Sequence, residues 1–231
     1  MKASPDSLVE ELVRPPSQSR SLRISAGGGV TLCGDLQIPA NATGLVLFAH
    51  GSGSSRFSVR NQSVADVLHH ASIGTLLLDL LTPEEEIADA QTGHLRFDIA
   101  MLSRRLAVVT QEIADDSRAQ NLKLGYFGAS TGGAAALIAA AALPSLIKAV
   151  VSRGGRPDLA GEALAMVKAP TLLIVGERDE EVIRLNEDAF EQLQCQKSLA
   201  IVPRATHLFA ERGALEEVAR LAAHWFRKHL E

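Results

Sequence analysis

Short apolar runs alternate with longer stretches of helical periodicity over most of the chain. Gly44–Ala49, Thr75–Leu80, Leu122–Phe127, Ile147–Val151, Thr171–Val175 and Ser198–Val202 are nearly unbroken apolar segments of strand length. Continuous hydrophobicity over so few residues is the mark of a strand buried on both faces. Between them, residues 61–70, 98–115, 158–167, 183–193 and 213–229 place apolar side chains three and four apart, which predicts helices. Residues 133–142, almost all Ala and Gly, predict a wholly buried helix. Two alternating segments, Ser21–Ser25 and Val30–Pro39, come first, separated by Ala26-Gly27-Gly28-Gly29. Alternation broken by a glycine cluster predicts a hairpin at a sheet edge.

Strand and helix in alternation after one hairpin demand a mainly parallel sheet with helices on both faces and an antiparallel N-terminal edge. Residues 1–20, with Pro5, Pro15 and Pro16 among serines and charges, read as an N-terminal arm with one helical turn around residues 8–12. Residues 21–231 read as a single α/β domain. The stretch from Leu81 to Arg96 is the least regular, although Thr82-Pro83 before Glu84-Glu85-Glu86 has the form of a capped helix start with a solvated acidic face.

Composition narrows the functional classes. The 231 residues carry 23 basic and 27 acidic side chains, a net charge of -4, with no basic cluster of the kind that nucleic acid requires. No apolar segment at the N-terminus has the length of a secretory signal, and the longest apolar stretch is too short to span a bilayer, so a cytoplasmic protein without membrane contact is expected. Cys33 and Cys195 lie far apart with no metal or redox spacing, and no metal is expected on them.

The chemistry concentrates at Gly128-Ala129-Ser130-Thr131-Gly132, directly between a predicted strand and a predicted helix. A serine in a G-x-S-x-G turn at that junction is lifted out of the fold beside a helix N-terminus, and the glycines permit close packing of strand and helix. A serine hydroxyl needs a base near neutral pKa, and the base needs a carboxylate to hold its tautomer. Asp179 follows one predicted strand and His207 another, in the chain order Ser, Asp, His that accompanies this turn. The N–H of Thr131 and that of Ser52, in the loop His50-Gly51-Ser52-Gly53, are the candidate oxyanion donors. His50 reads as a brace of its own loop.

These residues together resemble the α/β-hydrolase superfamily over roughly residues 20–231: the hairpin, the His-Gly-Ser-Gly-Ser loop, the Gly-Ala-Ser-Thr-Gly turn, the Gly-x-x-Asp turn and the late histidine. The compact size is most similar to the dienelactone-hydrolase-like branch. The resemblance implies a cofactor-free transfer of an acyl group through Ser130 to a water activated by His207, on a small-molecule ester or lactone. Dienelactone hydrolases proper use cysteine where this chain has Ser130, which favours an ordinary ester hydrolase. Thioester, amide or acyl-transfer chemistry on the same triad, and a non-catalytic binding protein on this fold, are the alternatives. Arg153 and Arg156 lie beyond a predicted strand end and Arg56 and Arg60 follow the candidate oxyanion loop, where a substrate carboxylate could meet them or where they could be plain surface residues; residues 81–96 could form a lid.

Overall fold

The apolar runs and periodic stretches become strands and helices in a computed structural model of the chain, which describes residues 19–231. The helical turn expected at residues 8–12 lies outside the described residues, and Arg20, expected in the arm, already belongs to the first strand. One sheet contains β1 (Arg20–Ser25), β2 (Thr31–Gln37), β3 (Gly44–Ala49), β4 (Ile73–Leu78), β5 (Lys123–Ala129), β6 (Ile147–Arg153), β7 (Thr171–Gly176) and β8 (Lys197–Val202). Their spatial order is β1-β2-β4-β3-β5-β6-β7-β8. The hairpin β1–β2 is antiparallel and joins β4 antiparallel; every pairing from β4 to β8 is parallel. The helices are α1 (Val59–His70), α2 (Pro83–Thr92), α3 (Ile99–Asp115), α4 (Thr131–Ala142), α5 (Glu180–Gln192) and α6 (Ala214–Leu230).

Alternate residues of each central strand feed two separate cores. Leu45 and Leu47 of β3 face the layer that contains Leu102, Leu106 and Val109 of α3 and the alanines of α4. Val46 and Phe48 face the layer of Val64 and Leu68 from α1 and Val218, Ala222 and Phe226 from α6. Both faces of β3 to β7 are thereby removed from water, which is why their sequences lack alternation, whereas β8, expected to be buried on both faces, is the edge strand and is mostly half-buried with Ile201 exposed.

The strand order fixes where a site can form. From β3 the chain first pairs β4 on one side and then crosses to pair β5 on the other, with Ala49 opposite Gly128. The loops leaving β3 and β5 therefore separate at a topological switch point, the place where open α/β sheets leave a crevice. Among the described residues no helix is long and apolar enough to cross a membrane. Cys33 and Cys195 are free thiols.

The stretch expected to be irregular is largely ordered into α2 and a 3-10 turn at Leu95–Phe97. Thr82 and Glu85 close a reciprocal capping box, and Gly93 ends α2 in the left-handed conformation. The acidic face is not simply solvated. Glu85 accepts two 2.6 Å bonds from Arg105 of α3, which also donates to Leu80 O at 3.0 Å. Asp89, buried, accepts from Arg96 Nε at 2.5 Å and from the Leu95 N–H at 2.6 Å.

The Arg105 hydrogen bonds, set against partial burial, hold the Glu85 carboxyl below the usual carboxylate range. A carboxyl depressed in the folded state stabilises above its unfolded pKa and loses that contribution as pH falls through the folded value. The stability difference between wild type and Glu85→Gln is therefore expected to be constant above about pH 5 and to shrink below about pH 4. Urea unfolding across this range checks it; a difference that grows on acidification contradicts the assignment.

Candidate active site

Ser130 stands between β5 and α4 with φ 51° and ψ -122°, a conformation that ordinary side chains avoid and that costs about 1–3 kcal/mol unless its surroundings impose it. They do so through three backbone bonds. The Ser130 N–H donates to Arg153 O at 3.2 Å, and Ser130 O accepts from the N–H groups of Gly133 (3.0 Å) and Arg156 (3.1 Å). The glycines of the turn are required by space. A Cβ on Gly128 would lie 2.5 Å from Gly132 O, and one on Gly132 would lie 2.5 Å from His50 O and still closer to Ala49 O.

The loop after β3 is drawn against this turn. The Ser52 N–H donates to Thr131 Oγ1 at 3.0 Å, and a Cβ on Gly51 would lie 3.0 Å from Ser130 Cβ. Thr131 opens α4, so its N–H lies in the first turn, at the positive end of the helix. His50 is buried and braces the loop as its sequence context suggests. Its Nε2 accepts from the Leu80 N–H at 3.2 Å, which leaves Nδ1 as the donor to Gly51 O at 2.9 Å.

Asp179 and His207 meet although 28 residues separate them: His207 Nδ1 and Asp179 Oδ2 are 2.6 Å apart. Gly176 makes this approach possible, since a Cβ there would lie 2.5 Å from Ala205 O and 2.7 Å from Thr206 O. The Arg178 N–H also donates to Ala205 O at 2.9 Å, tying the two loops together. Asp179 occupies the N-cap position of α5 but makes no side-chain cap bond; its carboxylate is turned to the imidazole instead. A carboxylate accepts only, so Nδ1 of His207 is the donor of this bond. His207 and Ser130 line the same cavity, about 230 Å³ in volume, together with Ser52.

The four candidate arginines divide into two kinds. Arg56 is held by Asp79 and Asp35, and Arg156 makes a bidentate pair with Asp158 at 2.9 and 2.8 Å. Arg60 and Arg153 line the Ser130 cavity. Arg153 is not a loop residue beyond a strand end, as its polarity suggests, but the last residue of β6, and it is buried. Burial, then the like charge of Arg60, pulls its pKa down to about 10, so it remains a cation at neutral pH.

Sequence reasoning passed over Asn61 and Asn186. Asn61, buried at the start of α1, faces Arg153; Asn186, buried on α5, donates to Gly155 O at 3.0 Å and so anchors the loop after β6. Neither position carries a local signal, because each is defined by a partner from a distant strand end. Residues 81–96, raised as a lid, stand beside the loop after β3, with Arg96 Nη1 3.6 Å from where a Gly53 Cβ would be, and are anchored by the Arg96–Asp89 and Arg105–Glu85 pairs.

The model of the dienelactone hydrolase family matches residues 81–231. The crystal structure of a dienelactone hydrolase from Anabaena variabilis is 59% identical and superposes with a TM-score of 0.92, covering 94% of this chain and all of that one. A lidless α/β serine hydrolase from Xanthomonas campestris, 22% identical, superposes with a TM-score of 0.72 over 92% of this chain and 95% of its own, a likeness of fold. Two Mycobacterium tuberculosis proteins, one from each of two strains and provisionally named phosphoribosyl transferases, are 50% identical over 222 residues. The match covers 96% of this chain but 49% of those proteins, so the chain spans about half the length of the curated relatives it matches.

The space requirement at the serine turn is directly testable. Gly132→Ala, which drives a Cβ into the β3 backbone, is expected to cost about 3 kcal/mol, or about 6–12 °C in Tm. Gly213→Ala, at φ 81° with open space around it, is expected to cost about 1 kcal/mol. Thermal unfolding of the two proteins checks this; an equal or smaller shift for Gly132→Ala contradicts the packing account.

Proposed function

The chain belongs to the dienelactone hydrolase family, and we propose that it is a serine hydrolase acting on small to medium carboxylic esters or lactones. The observation that carries the reading is the 2.6 Å bond between His207 and Asp179 beside a cavity that Ser130 shares. In the proposed reaction His207 Nε2 takes the Ser130 proton as Oγ attacks the carbonyl carbon, and Asp179 balances the imidazolium. The tetrahedral oxyanion is received by the Thr131 N–H and by the Ser52 N–H, which turns to it from Thr131 Oγ1. His207 then protonates the leaving alcohol, and a water activated by the same imidazole releases the acid and restores Ser130.

Serine in place of cysteine at the nucleophile favours ordinary ester substrates. Thioesters, amides and acyl acceptors other than water are open to the same machinery, and competing nucleophiles in the assay separate them. The phosphoribosyl transferase name belongs to proteins twice as long, and we place that activity in the half that this chain does not match. A nucleophilic serine turn and an Asp–His pair supply acyl-transfer chemistry and have no evident use for a phosphoribosyl donor.

Hydrolysis of p-nitrophenyl esters of increasing acyl length tests the reading. Wild type is expected to turn them over, with Ser130→Ala reduced by about 10⁵-fold or more in kcat and Asp179→Asn by about 10⁴-fold. Ser52→Pro, which deletes one donor N–H, is expected to lose about 10²–10³-fold in kcat. Full turnover by Ser130→Ala would sink the proposal.

A further inference from the structure

Asn186 is a fully buried amide on α5, and the fold keeps it against the interest of stability. Its Nδ2 spends both protons, on Val182 O at 2.7 Å within the helix and on Gly155 O at 3.0 Å in the loop after β6. Both partners are carbonyls, so the amide has one orientation, and Oδ1 is left buried without a hydrogen-bond partner among the described residues. An unpaired buried acceptor opposes folding, and an apolar side chain at this position would avoid that cost. What the asparagine supplies in return is the bond to Gly155.

The segment that Asn186 holds touches both Ser130 and His207. Arg153, which ends β6, accepts the Ser130 N–H on its carbonyl at 3.2 Å, and the Arg156 N–H donates to Ser130 O at 3.1 Å. The two ends of this short segment thus satisfy both backbone polar groups of the serine. Between them Gly154 has φ 50°, and its N–H donates to Ile174 O at 2.7 Å. A Cβ on Gly154 would lie 3.2 Å from His207 O and 3.5 Å from His207 Cε1, the ring carbon between the two nitrogens, so the imidazole rests against this glycine. Gly155 has no space for a side chain either, because a Cβ there would collide with Ser152 Oγ. Asn186 itself lies seven residues, about two turns, along α5 from its N-cap Asp179. One side chain therefore ties the helix that follows the acid to the segment that backs the serine and the histidine.

We propose that Asn186 is a positioning residue for the reaction of Ser130: through Gly155 it holds the loop after β6 in the setting that keeps the serine and the imidazole in register. The proposal rests on the hydrolase reading for the reaction, while the setting of the loop stands on the hydrogen bonds alone. Without Asn186 the buried Gly155 carbonyl loses its donor and turns to find another, and the adjoining glycines offer little resistance to that turn. Gly154 then moves under the ring and Arg156 moves at the serine. A misplacement of about 1 Å between reacting groups costs about 10²-fold in rate. The Asp179–His207 bond does not run through this loop, since the Gly176 approach and the Arg178 N–H bond to Ala205 O secure it. Loss of Asn186 therefore acts on the relation of His207 to Ser130 and not on the pairing of His207 with its acid.

The test compares Asn186→Leu, which removes the donor, with Thr110→Val, which removes another buried bond, to Tyr126 at 2.6 Å, from outside the cavity lining. If Asn186→Leu does not fold by circular dichroism, Asn186→Ala removes the same donor without added volume and takes its place. On a p-nitrophenyl ester, at a temperature where all the proteins are folded, the Asn186 variant is expected to lose at least about tenfold in kcat with KM changed less than about twofold. Thr110→Val is expected to lower Tm and leave kcat as in wild type. A second readout needs no turnover: the Cε1–H resonance of His207, assigned by its absence in His207→Gln, is expected to shift or broaden in the Asn186 variant and to stay in place in Thr110→Val. An unchanged kcat, an equal loss of kcat in Thr110→Val, or an unmoved resonance would overturn the positioning role. A wild type that neither hydrolyses the esters nor reacts with a fluorophosphonate would defeat the hydrolase reading instead. The resonance then decides alone: its movement in the Asn186 variant keeps the control of His207 by this loop, and its constancy overturns it.

Discussion

The close approach of α4 to the end of β3 is the constraint on which the rest of the site depends. Gly132 leaves no room for a side chain against Ala49 and His50, and Gly128 leaves none against Gly132 and Gly133. The strained backbone of Ser130 is the consequence, held by bonds to Arg153, Gly133 and Arg156. Because β3 and β5 are neighbours at the switch point, the same approach brings the Ser52 loop to the first turn of α4. The position of Ser130, the N-terminus of α4 and the placement of the Ser52 loop are thus one packing event rather than three.

A second close approach completes the arrangement. Gly176 lets the loop after β8 lie across the end of β7, and that contact joins Asp179 to His207. Parallel strands make such convergence natural, since every loop after β3, β5, β6, β7 and β8 leaves the sheet at the same edge. Electrostatically, the site places one short Asp–His pair next to two arginines that meet no carboxylate among the described residues. By contrast, Asp89 and Glu85, though removed from full solvent, are each paired with an arginine. Departures from internal consistency of this kind concentrate where a protein acts on something else.

Most of this was legible in the chain because hydrophobic pattern and glycine spacing carry it. The edge hairpin, the buried parallel strands and the G-x-S-x-G junction all follow from local rules. The misreadings are equally physical. Ser152 and Arg153 extend β6 by two residues, and their polarity hides it because a buried strand end with a partner or a function need not be apolar. β4 starts at Ile73 rather than Thr75, with Gly74 masking the strand, while Leu80 and Leu81 are buried loop residues that mimic its continuation. Glu85 belongs to an acidic run that looks solvated, and only the fold brings Arg105 to it from 20 residues away. Pairings across such distances leave no trace in periodicity, which is also why Asn61 and Asn186 went unnoticed.

The central claim is that Ser130 is a nucleophile made reactive by His207 and Asp179. Reaction with a fluorophosphonate, followed by peptide mass spectrometry, tests it most directly, because the reagent requires an activated serine and no knowledge of the natural substrate. The account predicts a single adduct on Ser130, formed at least about 10³-fold more slowly in a folded His207→Gln protein. An adduct on another residue, or labelling of Ser130 at the same rate without His207, would contradict it.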